Sequence, residues 1–133
     1  MATINNFEDL DIWKDARDIC QCMYKITDYE YFSKDYRFCS QVRAAAGSIM
    51  DNIAEGFERE GNREFIQFLY IAKGSCGELR SQIIRAYDCH YISEKELDEL
   101  KMKIISLSSN IFNFIQYLRK CKVQGNKYNH SNN

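Results

Sequence analysis

The amino-acid sequence predicts an all-α fold, an antiparallel up-down-up-down four-helix bundle. Three observations predict it. Apolar residues recur at alternating steps of three and four along four long segments, the period of one face of an α-helix. Proline is absent and glycine occurs only six times in 133 residues, so the turn chemistry of an all-β domain is missing. The periodic segments are joined by a few residues each, which makes consecutive helices antiparallel neighbours.

In the first segment Ile12, Ala16, Ile19, Met23 and Ile26 form the stripe, widened by Trp13 and Cys20, with Asp11, Lys14, Asp15, Arg17 and Asp18 on the other side. This predicts a helix from about Asp9 to Tyr29. Ser33 has the side chain of an N-cap for the second helix, whose stripe is Phe38, Val42, Ala45, Ile49 and Ile53, running up to Gly56 and ending before Gly61. Asn62 is the expected cap of the third. Its stripe, Leu69, Ala72, Cys76, Leu79, Ile83, Ala86 and His90, predicts a helix that ends near Tyr91. Ser93 and Glu96 match a capping box, in which each side chain bonds the other's backbone N–H, and the fourth helix follows with Leu97, Leu100, Ile104, Leu107, Ile111, Phe114 and Leu118.

A chain of 15.7 kDa fits one domain, read as residues 1–121, followed by a polar, flexible tail over 122–133. A hydrophobic fraction of 45% excludes a disordered chain. The net charge of -1 is a weak electrostatic footprint for a dedicated nucleic-acid binder. Charge is unevenly placed: Arg119, Lys120, Lys122 and Lys127 give the last fifteen residues +4 without an acid, and the other fourteen bases face nineteen acids. The six cysteines contain no C-x-x-C pair, which points to reduced, mostly buried thiols and a cytoplasmic protein. The first ten residues lack the basic and apolar regions of a leader, and no apolar run approaches the roughly 20 residues of a membrane span.

Catalytic and metal chemistry find little support in the inventory. The two histidines, His90 and His130, form no Glu-x-x-His pair, and the scattered cysteines have no zinc-ligand spacing. Cys89 and His90 are adjacent and point about 100° apart on a helix, so they read as a buried thiol and a core histidine rather than a nucleophile and its base. Gly74 and Gly77 lie within a helical stripe and not in a phosphate loop. No cofactor and no enzyme activity are expected.

One pattern exceeds the needs of a core. Gln41, Ser48, Asn52 and Glu55 fall on a single polar strip of the second helix, and Ser75, Glu78 and Gln82 form a matching flank on the third. Beside that flank the small residues Ala72, Gly74, Ser75 and Gly77 permit another backbone to come close. The strips either cross-link neighbouring helices, build a subunit interface or line a ligand site. Tyr29, Tyr31, Phe32 and Tyr36 at the first connection read as packing rather than base stacking, with only Lys34 and Arg37 nearby.

Phe7-x-x-Leu10-x-x-Trp13-x-x-Ala16, Gln41-Val42-Arg43-Ala44-Ala45 with Ser48-Ile49, Asn52-Ile53-Ala54-Glu55-Gly56, and Phe68-Leu69 through Ala72-x-Gly74-Ser75-x-x-Glu78-Leu79 resemble the four-helix bundle proteins of the 23S ribosomal RNA intervening-sequence family, over residues 7 to about 120. The resemblance implies a bacterial or phage-related origin and a ring-like homopentamer, and most of the family has no established activity. Its relatives include the accessory variability determinant of diversity-generating retroelements, a basic partner of reverse transcriptase and nucleic acid. The family pattern falls on Gln41, Arg43, Ser48, Asn52, Glu55, Gly56, Ser75 and Glu78. The expected role is a non-enzymatic homo-oligomeric scaffold or adaptor, pentameric by resemblance, with the interface on the second and third helices and a protein partner. The alternative is an RNA or DNA binding accessory protein using Arg119, Lys120, Lys122 and Lys127, a reading that the acidic bundle disfavours.

Overall fold

The computed structural model describes residues 3–121 together with 128 and 129. Four helices make up the body: α1 (Asp11–Ile26), α2 (Tyr36–Glu58), α3 (Asn62–Asp88) and α4 (Glu94–Lys120). A two-residue antiparallel pairing joins Thr3–Ile4 to Tyr128–Asn129. Packing follows chain order around a square, α1 on α2, α2 on α3, α3 on α4 and α4 back on α1. Cross-helix pairs run in opposite senses: Ser48 meets Ser75 while Gln41 meets Gln82, and Asp18 meets Lys103 while Tyr29 meets Glu96. That is the antiparallel four-helix bundle expected.

Every residue of the expected stripes is buried except His90, which is exposed, and Trp13 and Cys20 at the edge of the first stripe, which are half-buried. Phe32, Phe57 and Phe65 are wholly enclosed, and Phe65 stands edge-on to both Phe57 and Phe114, linking α2, α3 and α4. The helix ends depart from expectation. Helix α1 is shorter at both ends. A 3-10 turn at Phe7–Asp9 precedes it, and after Ile26 the Thr27 hydroxyl donates to the Met23 carbonyl at 2.7 Å, closing the last turn. Asp35, not Ser33, caps α2, its carboxylate accepting from the Phe38 N–H. Ser33 lies in the 3-10 turn Phe32–Lys34 that burying Phe32 requires, and its hydroxyl donates to the Glu30 carbonyl instead.

At α3 the N-cap is Gly61, whose φ of +84° suits a residue without a Cβ. Asn62 is drawn elsewhere: its amide donates to the carbonyls of Leu118 (2.9 Å) and Cys121 (3.2 Å), closing the open end of α4. Helix α3 stops at Asp88 because His90 takes a φ of +64°. The Tyr91 N–H then reaches back to the Ala86 carbonyl and the His90 N–H to that of Tyr87, the paired bonds of a Schellman termination. The capping box of α4 forms as expected, with Ser93 Oγ accepting from the Glu96 N–H at 3.1 Å and Glu96 accepting from the Ser93 N–H at 2.8 Å.

Candidate functional site

Five of the eight motif residues meet along the seam between α2 and α3. Ser48 and Ser75 hydroxyls are 2.9 Å apart, and the Asn52 amide donates to Ser48 Oγ (3.0 Å) and to the Ser48 carbonyl (2.7 Å). Ser75 is 8% exposed, so this three-residue relay satisfies polar groups that would otherwise be buried alone. Farther along, Gln82 donates to the Gln41 carbonyl, while Arg85 donates to Gln41 Oε1 and lies 4.1 Å above the Phe38 ring. Gln82 Oε1 is buried without a hydrogen-bond partner among the described residues. At the other end Gly56 lets the helices touch: a Cβ there would stand 2.7 Å from Phe68 Cβ and 2.9 Å from Phe65 Cδ1.

The remaining motif residues lie elsewhere. Arg43 faces α1, donating to Thr27 Oγ1 (2.9 Å), pairing with Asp28 and covering the Tyr24 ring. Glu55 is exposed and pairs one turn along with Arg59, and Glu78 is exposed. Within one chain no neighbouring backbone comes close to the glycines of α3. Gly74 and Gly77 are exposed, with nothing within 4 Å of a Cβ, so the close approach belongs to Gly56 alone of these three. Cys89 and His90 are likewise exposed and not in the core, because they form the turn beyond the end of α3. Two thiols, Cys39 and Cys76, are buried, and Cys20, Cys22 and Cys121 are half-buried. Tyr31 and Tyr36 are exposed, whereas Phe32 is enclosed and Tyr29 bonds Glu96. Of the four cationic residues, Arg119 donates to Gln116 and Tyr70, Lys120 is exposed, and Lys122 and Lys127 lie outside the described residues.

Sequence reading missed the outer face of the α3–α4 seam. Tyr70, Ile84, Ile105 and Phe112 are each about 40% exposed there. Tyr70, Gly77 and Ile84 repeat every seven residues on α3, as Ile105 and Phe112 do on α4. That repeat was the available signal. Lys73 and Arg80 border an opening of about 210 Å³ over Gly77, and Lys73 and Phe112 border the next one along. Neither opening has a carboxylate on its wall, and Lys73, Arg80 and Lys101 form no ion pair among the described residues.

Titration behaviour is set by packing. Burial pushes the Cys76 thiol, on the floor of that groove, up to about 11. The Glu96 carboxylate and burial push Tyr29 up to about 12. For Glu96 burial works upward, but hydrogen bonds from the Ser93 backbone and Tyr29 outweigh it and hold the carboxyl below its usual value. Among the described residues no three His, Cys, Asp or Glu side chains gather into a metal-binding group, and no helix is long and apolar enough to cross a membrane.

The family model described as "23S rRNA-intervening sequence protein" matches residues 8–113. A solved structure, a protein of unknown function from the S23 ribosomal protein family of Bacteroides thetaiotaomicron, superposes with a TM-score of 0.72 at 18% identity, covering 79% of this chain and 98% of its own. No curated protein matches the chain.

Proposed function

The chain belongs to the family of 23S rRNA-intervening sequence proteins, and from that premise we propose that it works as a non-enzymatic, cytoplasmic homo-oligomeric scaffold or adaptor. The observation that carries this reading is the row of Tyr70, Ile84, Ile105 and Phe112 left uncovered on the α3–α4 face. An apolar row ringed by charge is the anatomy of a protein interface. Five copies in a ring is the stoichiometry the family resemblance implies. The Ser48–Asn52–Ser75 part of the α2–α3 strip orders the protomer itself, since its hydrogen bonds close within one chain.

Size-exclusion chromatography with light scattering and absorbance at 260 and 280 nm, on protein purified at low salt without nuclease, tests the reading. A single species at a multiple of 15.7 kDa, free of nucleic acid, is the expected outcome. A monomer at tens of micromolar would refute it.

A second reading, RNA binding, is favoured by Lys73, Arg80 and Lys101, which form no ion pair among the described residues, and by the +4 C-terminal stretch. It requires affinity that falls steeply with salt. Changing Arg119, Lys120, Lys122 and Lys127 to glutamine should flatten that dependence, and an unaltered slope would remove these residues from the contact.

A further inference from the structure

The uncovered α3–α4 face has a counterpart on the same chain. Along α2 the residues Ser40, Ala44, Gly47, Asp51, Ala54 and Glu58 are spaced by 4, 3, 4, 3 and 4, so they form one continuous outward strip. Ser40, Ala44, Asp51 and Glu58 are exposed, and Gly47 and Ala54 half-exposed. A Cβ at Gly47 would approach only the Asp51 carboxylate, at 3.9 Å, so the strip is a shallow trough of small side chains carrying two acids.

The two faces complement each other in shape, period and charge. Between Ser40 and Glu58 the α2 strip is small and carries two acids, with Arg37 one turn before it, whereas the α3–α4 face is bulky and carries the three bases Lys73, Arg80 and Lys101 beside Tyr70, Ile84, Ile105 and Phe112, with Asp98 one heptad before Ile105 at its end. Both repeat every seven residues, the spacing at which knobs of one helix enter holes of another. Lengths agree as well: Ser40 to Glu58 spans about 27 Å and Tyr70 to Ile84 about 21 Å at 1.5 Å per residue. One chain cannot join them, because α2 stands diagonally across the bundle from α4.

We propose that α2 of one copy docks, by its Ser40-to-Glu58 strip, into the α3–α4 face of a second copy. The inference rests on the homo-oligomeric reading above and names the surfaces that reading leaves open. Asp51 and Glu58 then lie against Lys73, Arg80 and Lys101, and the open space over Gly77 admits part of the incoming helix. Because the two patches differ, the contact is heterologous: each copy offers one of each, and the assembly closes as a ring or extends as a filament.

The test is light scattering and sedimentation of the full chain and three sets of variants. Gly47→Gln puts a long side chain into the trough at an open helical position, so helicity and folding should persist while association weakens at least about tenfold. Asp51→Lys with Glu58→Lys, and separately Lys73→Glu with Arg80→Glu, should each do the same, and all four changes in one chain should restore the wild-type mass. A wild-type oligomer that survives every variant overturns the docking inference and leaves the scaffold reading standing. A wild-type monomer overturns both. Nucleic acid that co-elutes with wild type and is lost on Lys73→Glu with Arg80→Glu, at unchanged protein mass, assigns the face to nucleic acid and likewise overturns the inference.

Discussion

Helix α3 meets α2 along one flank and α4 along the other, and the two seams differ in how near the backbones come. On the α2 side the approach is close: Gly56 lies against Phe65 and Phe68, and Ser48, Asn52 and Ser75 knit the helices together. On the α4 side the inner stripes pack equally well, but the outer edge stays open over Gly77, with exposed apolar side chains on both banks. Glycine therefore has opposite meanings on the two sides. At Gly56 it makes room for a neighbour that is present; at Gly74 and Gly77 it leaves room that one chain does not fill.

The largest expected effect follows from that contrast. Gly56→Ala places a methyl 2.7 Å from Phe68 Cβ, an atom fixed by its own backbone, so the helices must separate. The expected loss is about 1–3 kcal/mol, at the upper end because the clash is with core atoms on α3. Gly74→Ala and Gly77→Ala meet nothing and should each raise stability by about 1 kcal/mol through helix propensity. Urea unfolding at a protein concentration where light scattering reads the monomer mass measures all three. Equal signs at Gly56 and Gly77 would erase the distinction between the seams.

A second effect of similar size appears only at alkaline pH. Cys76 borders the open seam yet is only 1% exposed, and that burial raises its thiol from 9.0 to about 11. The fold favours the neutral thiol. Its contribution is complete below pH 9, where the unfolded thiol titrates, and is lost as pH rises through 11, by up to about 3 kcal/mol. Tyr29 extends the same limb from pH 10 towards 12. Urea midpoints between pH 8 and 11 should fall for wild type and fall less steeply in Cys76→Ala, where Cys20, Cys39 and Tyr29, also raised, still contribute. An equally steep fall in the variant would mean that the groove already admits solvent to the sulfur.

The inner faces of all four helices were legible in the sequence, because a 3.6-residue period is a local property that tertiary context did not override. Helix ends were less so. Ser33 and Asp35 are both capable caps, and the choice was made by burying Phe32, a long-range event. Asn62 carries a capping side chain but is recruited by the carbonyl end of α4, 56 residues away in sequence from Leu118. His90 at a left-handed φ gives no signal, since glycine or asparagine is the usual sign of such a turn. At the candidate site, Ser48 and Asn52 were legible as one strip of α2 and Ser75 as part of a matching flank on α3, because strip geometry is again local to each helix. What separates Gly56 from Gly74 and Gly77 is the side chain opposite, which spacing does not encode.

The smallest effects come from two neighbours in the motif, Asn52 and Glu55. Asn52 is half-buried and bridges within the Ser48–Ser75 relay, so Asn52→Ala leaves Ser48 and Ser75 with fewer partners and should cost about 1 kcal/mol. Glu55 is more than half exposed and holds only Arg59, an i,i+4 pair on the surface, so Glu55→Ala should cost about 0.3 kcal/mol and less in high salt. Both residues sit on the same strip of α2, three positions apart, and sequence spacing alone weights them equally. Thermal melts of the two variants at low and high salt separate the cases: a salt-independent loss for Asn52→Ala, and a small salt-sensitive one for Glu55→Ala. If Glu55→Ala instead lowered the oligomer mass while leaving the monomer's melting unchanged, Glu55 would belong to the subunit contact, and the docking strip on α2 would have to widen towards α3 to include it.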